Sequence, residues 1–220
     1  MIQKSTLDFL SGLAKNNNKE WFDKNRPAYE AAKADFKMFV EKLIISIAKF
    51  DPAIRNLEAK NCIFRINRDI RFSANKSPYK NNFGAIMNPG GKKAETPGYY
   101  IQIQPGGQSF IAGGLWQPET PVLNAVRQEI DYNAAEFKKI LNTKDFKKFF
   151  GKLSEEDKLK TVPKGYDKTH PEIALLKHKS FIAVHDLKDS NVISKDFMKH
   201  SSEVMKAMYP LNLFLRRACD

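Results

Sequence analysis

"GYYIQIQPGGQSFIAGGLW", residues 98–116, decides the fold. Tyr100, Gln102 and Gln104 fall on one side of an extended chain, and Tyr99, Ile101 and Ile103 on the other, the period of a strand with one buried face. The "PGG" at 105–107 is a turn signal, and "QSFIAGGLW" runs back as a second strand. Upstream, "NFGAIMN" (82–88) reads as another strand. Cys62, Phe64 and Ile66 alternate with Ile63, Arg65 and Asn67, which predicts one more over 62–66. Residues 61–116 are therefore expected to form an antiparallel meander.

On either side the period lengthens to about 3.6. Ser5 is expected to cap a short helix carrying Leu7, Leu10 and Leu13 inward. A longer helix follows Asn25, with Pro27 in its first turn and Tyr29, Ala32, Phe36, Val40, Leu43, Ile47 and Phe50 on one face, and stops at Asp51–Pro52. After the strands, "TPVLNAVRQEI" starts a helix with Thr120 as cap and Pro121 at its first position. "AAEFKKIL" and "KDFKKFF" continue the helical pattern. A late strand, "KSFIAVHDL", precedes a carboxy-terminal helix over 194–216 capped by Ser194, with Phe197, Val204, Met208, Leu211 and Leu215 inward. The expectation is one α+β domain over 1–220: helical 1–60, β-rich 61–116, helical 117–178, a strand at 179–187, then the last helix.

The 220 residues are 42% hydrophobic, enough for a sizeable core. The start, "MIQKSTLDFL", lacks the apolar stretch of a signal peptide, and no apolar run reaches the roughly 18 residues of a membrane span, so a soluble cytoplasmic protein without a membrane partner is expected. Cys62 and Cys219 stand far apart with no CxxC, which argues against a disulfide framework or zinc knuckle. A net charge of +12 favours anionic partners. Much of it is lysine in segments such as "KKAE" (92–95) and "EFKKIL" (136–141), the pattern of a solvated surface.

The arginines are distributed differently. Three of the eight, Arg65, Arg68 and Arg71, fall within seven residues, followed by Lys76 and Lys80 and interleaved with Phe64, Phe72, Tyr79 and Phe83. Extending the 62–66 alternation puts Arg68 in core phase. It is then either buried against an acid such as Asp69 or Glu20, or turned by a bulge toward a shared cleft. Tyr100 and Gln102 offer hydroxyl and amide groups to such a cleft, Gly113 and Gly114 leave room for a ligand, and Trp116 reads as core. No phosphate-loop or G-x-S-x-G motif is present, and the odd spacing of His178 and His185, seven apart, sends them to opposite faces if both lie in one strand. No metal site and no cofactor are expected, and no catalytic residue is assigned.

The segments "FLSGLAKNNNKEWFDKNRPAYE", "CIFRINRDIRFSANKSPYKNNFG", "GYYIQIQPGG", "GGLWQP" and "LKTVPKGYDKTHPE", in that order over nearly the whole chain, resemble domain of unknown function 2461, a bacterial and fungal family. The resemblance implies that Asn17, Trp21, Phe22, Arg26 and Tyr29 belong to one signature with Arg65, Arg68, Asp69, Arg71, Lys76, Tyr79 and Lys80. It implies no reaction. The leading expectation is a basic cleft for a small anionic or phosphorylated ligand: Arg65, Arg68 and Arg71 grip the anion, Lys76 and Lys80 add charge, Tyr79 orients it or exchanges a proton, and Arg26 joins the cluster. The alternatives are single-stranded nucleic-acid binding, and an interaction domain whose arginines brace the core.

Overall fold

The structure is a computed structural model describing residues 1–92 and 94–219. Lys93, one of the lysines read as solvated surface, lies outside them.

Three helices open the chain: α1 (Lys4–Lys15), α2 (Lys19–Lys24) and α3 (Arg26–Ile47). Leu7, Leu10 and Leu13 are buried on α1 as their spacing predicts. Ser5 is not its cap. Gln3 holds that position, and Asp35 of α3 accepts from the Gln3 backbone N–H (2.9 Å) and the Thr6 hydroxyl (2.7 Å), so an acid from the neighbouring helix takes the serine's place. α3 starts after Asn25 with Pro27 in its first turn, and Asp51 caps the short 3-10 turn Pro52–Ile54 beyond it.

Residues 62–66 do not form the predicted strand. Cys62 closes a helical turn, α4 (Ala59–Cys62), and only Ile63 bridges the sheet, to Ala85, with the Phe64 N–H donating to the Gly84 carbonyl (2.9 Å). The chain then pairs with its own return limb: Lys80 N–H to Ile66 O (2.8 Å), the Asn67–Tyr79 bridge, and Arg68 N–H to Pro78 O (2.9 Å). Residues 63–80 are thus a hairpin arm off the sheet edge. The alternation at 62–66 belongs to extended chain whose partner is this return limb rather than the sheet.

The sheet comprises β1 (Phe83–Met87), β2 (Gly98–Ile103) and β3 (Ser109–Leu115), then, after helices α5 (Thr120–Tyr132), α6 (Ala134–Leu141), α7 (Lys144–Phe149) and α8 (Ile173–Leu176), β4 (Phe181–Leu187). α9 (Asp189–Val192) and α10 (Phe197–Arg217) follow. The strands lie in the order β1-β2-β3-β4, all antiparallel, so the fold is α+β. Two predicted caps shift: Glu119 rather than Thr120 caps α5, and Asp196 rather than Ser194 precedes α10.

Register sorts the residues into two faces. Met87, Tyr99, Gly113 and Ala183 form one row of the inner face, and Ala85, Ile101 and Ile111 the next. α3 covers this face at β1, where Phe36 stacks on Phe83 (5.5 Å), and α10 covers β2 and β3. Gly113 permits that approach, because a Cβ there would lie 2.7 Å from Met208 Cγ. Gly114 has φ +110°, and a Cβ would lie 2.0 Å from the Phe181 carbonyl oxygen. The space beside these glycines is filled by the protein itself, not left for a ligand. The opposite face carries Ile86, Tyr100, Gln102, Phe110, Ile182 and Val184, all half-buried. Among the described residues no helix is long and apolar enough to cross a membrane.

Candidate anion-binding face of the sheet

The open face is built around β2. Tyr100 lies across Gly84, where a Cβ would come 2.6 Å from its hydroxyl, so that glycine is what lets the ring lie flat on the sheet. The Tyr100 hydroxyl donates to Gln102 Oε1 (2.9 Å), and Gln102 Nε2 donates to Gln104 Oε1 (2.9 Å). Asn82 Nδ2 donates to the same oxygen (3.3 Å), and Gln104 Nε2 donates on to Gln108. Gln102 and Gln104 each spend one amide N–H in this chain of bonds and keep the second N–H free of it. Burial pushes the Tyr100 phenol up to about 12, which keeps it a protonated donor at neutral pH.

Aromatic rings flank this ladder: Phe110 at 5.5 Å from Tyr100, and Phe64, at the base of the arm, at 6.4 Å. Lys80 places its ammonium 5.2 Å over the Phe64 ring. The Lys80 pKa is lowered, first by burial and then by the Arg65 charge. Neither cation makes an ion pair among the described residues, and Arg65 is exposed. Three predicted residues, Lys80, Tyr100 and Gln102, are thus linked through the Phe64 ring, and Arg65 joins them only through its charge.

The other predicted residues sit elsewhere in the arm and its support. Arg68 is half-buried, but not in the core and not against an acid. Its guanidinium donates to the Ser77 carbonyl (3.2 Å) and the Ser73 hydroxyl (3.3 Å), holding the tip of the arm closed. Lys76 does the same through the Ile70 carbonyl (3.1 Å). Arg71 forms a two-point pair with Asp69 (3.0 and 2.7 Å). Tyr79 is 8% exposed and stacks on Phe22 at 4.1 Å, so it is a packing residue rather than a proton carrier. Arg26 pairs with Asp23 (2.8 Å), the acid its position at a helix start requires, and its guanidinium overlies the ring of Phe22 at 5.6 Å, on which Tyr79 of the arm stacks. Asn17 fastens the arm to the α1–α2 corner by bonding both the N–H (3.0 Å) and the carbonyl (2.9 Å) of Tyr79.

Sequence reasoning missed three features. Asp51, read only as a helix stop, is buried with Tyr99 and Arg216. Trp116, read as core, is 67% exposed. His185 and His200 approach to 3.0 Å between β4 and α10, a pairing no spacing within either element reveals. Among the described residues no three His, Cys, Asp or Glu side chains group as metal ligands.

No curated protein and no solved structure matches the chain. The family model described as conserved hypothetical protein (DUF2461) matches residues 5–214, from the first helix to the last turn of α10, and the chain belongs to that family.

Proposed function

We propose that the open sheet face beside the arm binds a phosphate-bearing anion. The observation that carries this reading is Lys80: half-buried over the Phe64 ring, without an ion pair among the described residues, and beside the Tyr100–Gln102–Gln104 row, with the charge of Arg65 lowering its pKa further. Like charges held together in a partly dry setting favour an anion between them, and N–H groups complement its oxygens. Arg26 and Arg71, each satisfied by an acid, are peripheral to this reading. Arg68 and Lys76 support it by shaping the arm.

The test is thermal unfolding in pyrophosphate. The melting temperature rises through preferential binding to the folded protein, and Lys80→Met or Arg65→Met removes about half of that rise or more. Arg71→Ala, which breaks a pair internal to the arm, leaves it unchanged. Equal rises in all four proteins, or none in the wild type, refute the reading.

A further inference from the structure

We infer that the anion is the backbone of a single-stranded nucleic acid, and that the arm supplies a stacking ring, Phe72, in addition to charge. This rests on the anion-binding reading of the sheet face and adds the identity of the ligand.

Phe72 is 96% exposed at the tip of the arm. Its exposure is not that of a slack loop. Arg68 and Lys76 tie the tip across to residues 70, 73 and 77, and the Arg71 guanidinium, fixed by Asp69, lies 5.8 Å from the Phe72 ring. The loop is built to hold an uncovered ring beside a cation. An uncovered phenylalanine loses the burial that would otherwise reward it, so a partner that covers it gains. The charge of the partner follows from the arm: over 63–80, Arg65, Arg68, Arg71, Lys76 and Lys80 stand against the single carboxylate of Asp69.

The chemistry of the partner follows from what lies at the other end of the arm. Phe64, Tyr100 and Phe110 form a consecutive series of half-exposed rings on an open face, bordered by Lys80. Rings on an open platform, cations along its edge and a further ring on a projecting arm suit alternating bases and phosphates. A duplex hides its base faces, a phosphorylated metabolite without an aromatic ring has nothing to place on Phe72, and a single nucleotide has one base where the protein offers several rings. Base stacking and phosphate contact are common to DNA and RNA, and the 2′-hydroxyl is what separates them.

The experiment is fluorescence anisotropy with labelled oligonucleotides of about 15 nucleotides, oligo-dT and oligo-U, alongside a duplex of equal length, at low and physiological salt. The single strands bind more tightly than the duplex, and the affinity falls with salt at a log–log slope of about −0.7 per phosphate engaged. Phe72→Ala, at a site too exposed to affect folding, weakens binding roughly tenfold. It leaves the pyrophosphate shift intact, whereas Lys80→Met reduces both. A pyrophosphate shift without oligonucleotide binding, equal binding of duplex, or an unaffected Phe72→Ala overturns this inference and leaves the anion site standing. Binding to vesicles of anionic phospholipid that Phe72→Ala abolishes, with no oligonucleotide binding, overturns it in favour of a membrane surface. Absence of both responses removes the anion site as well.

Discussion

Arg216 and Asp51, 165 residues apart, meet in a two-point ion pair, Nη1 to Oδ1 at 2.9 Å and Nη2 to Oδ2 at 2.8 Å. Asp51 is 1% exposed, accepts also from the Tyr99 hydroxyl (2.8 Å), and Arg216 Nε donates to the Pro97 carbonyl (3.1 Å). The end of α10, the exit from α3 and the start of β2 are thereby joined at one carboxylate. Arg216→Met leaves that carboxylate buried without its counter-charge and is expected to cost about 3 kcal/mol in urea unfolding. Asp51→Leu combined with Arg216→Met costs less than the two single changes summed, since neither charge is then stranded. Additive costs would show that the pair is not coupled.

Gly114 and Gly107 both have positive φ, +110° and +70°, but only Gly114 faces backbone, with the Phe181 carbonyl 2.0 Å from a would-be Cβ. Gly107→Ala is expected to cost about 1 kcal/mol, the conformational term alone. Gly114→Ala adds a clash that strand β4 must move to relieve, and at least about 3 kcal/mol is expected. Similar midpoints for the two variants would contradict this.

Burial pushes the His178 imidazole down to about 4, with Lys158 adding to the effect and Glu155 opposing it; burial and then His185 lower His200, with Lys148 reinforcing and Glu203 opposing. The folded protein therefore takes up these protons at lower pH than the unfolded chain does. Stability is fully present above the ordinary histidine value near 6.5, falls as pH drops toward 4, and levels off below. His178 alone contributes on the order of 3 kcal/mol across that window. Urea midpoints from pH 7 to pH 4.5 should trace the decline, and His178→Gln should flatten it. An equally steep decline in that variant would assign the effect to other groups.

Asn17 holds Tyr79 by both backbone groups, so Asn17→Ala removes two hydrogen bonds at once. Amide exchange at Tyr79 is expected to speed up by a factor corresponding to about 1–2 kcal/mol, with exchange in β2 and β3 unaffected. Asn17→Asp keeps an acceptor for the Tyr79 N–H but turns a carboxylate oxygen toward the Tyr79 carbonyl, and should protect no better than Asn17→Ala. Uniform acceleration across the sheet would mean that Asn17 supports the whole fold rather than the arm.

The α+β architecture was legible because β2 alternates cleanly: Tyr99, Ile101 and Ile103 are fully buried while Tyr100 and Gln102 stay half-exposed. The same alternation misled at 62–66, since extended chain shows period two whether it pairs with a sheet or with its own return limb. Helix capping was misplaced at Ser5 because its substitute, Asp35, comes from another helix and leaves no local signal. In the site, the shared face of Tyr100 and Gln102 followed from parity alone. The meeting of Lys80 with Arg65 did not, for it depends on where the hairpin turns. Asp51 and Arg216 were illegible for the plainest reason: the chain between them carries no mark that joins them.

The tie between Asn17 and Tyr79 also bears on the order in which the protein assembles. The arm closes on itself through bonds near in sequence and meets the sheet at Ile63 and Phe64, but its tie to the α1–α2 corner is a side chain 62 positions before Tyr79. A contact of that sequence separation forms only after the α1–α2 corner and the β1 edge have come together, because closing so long a loop is entropically costly until both ends are in place. The docking of the arm on the N-terminal corner is therefore among the last steps of folding, although the arm's own register is fixed locally.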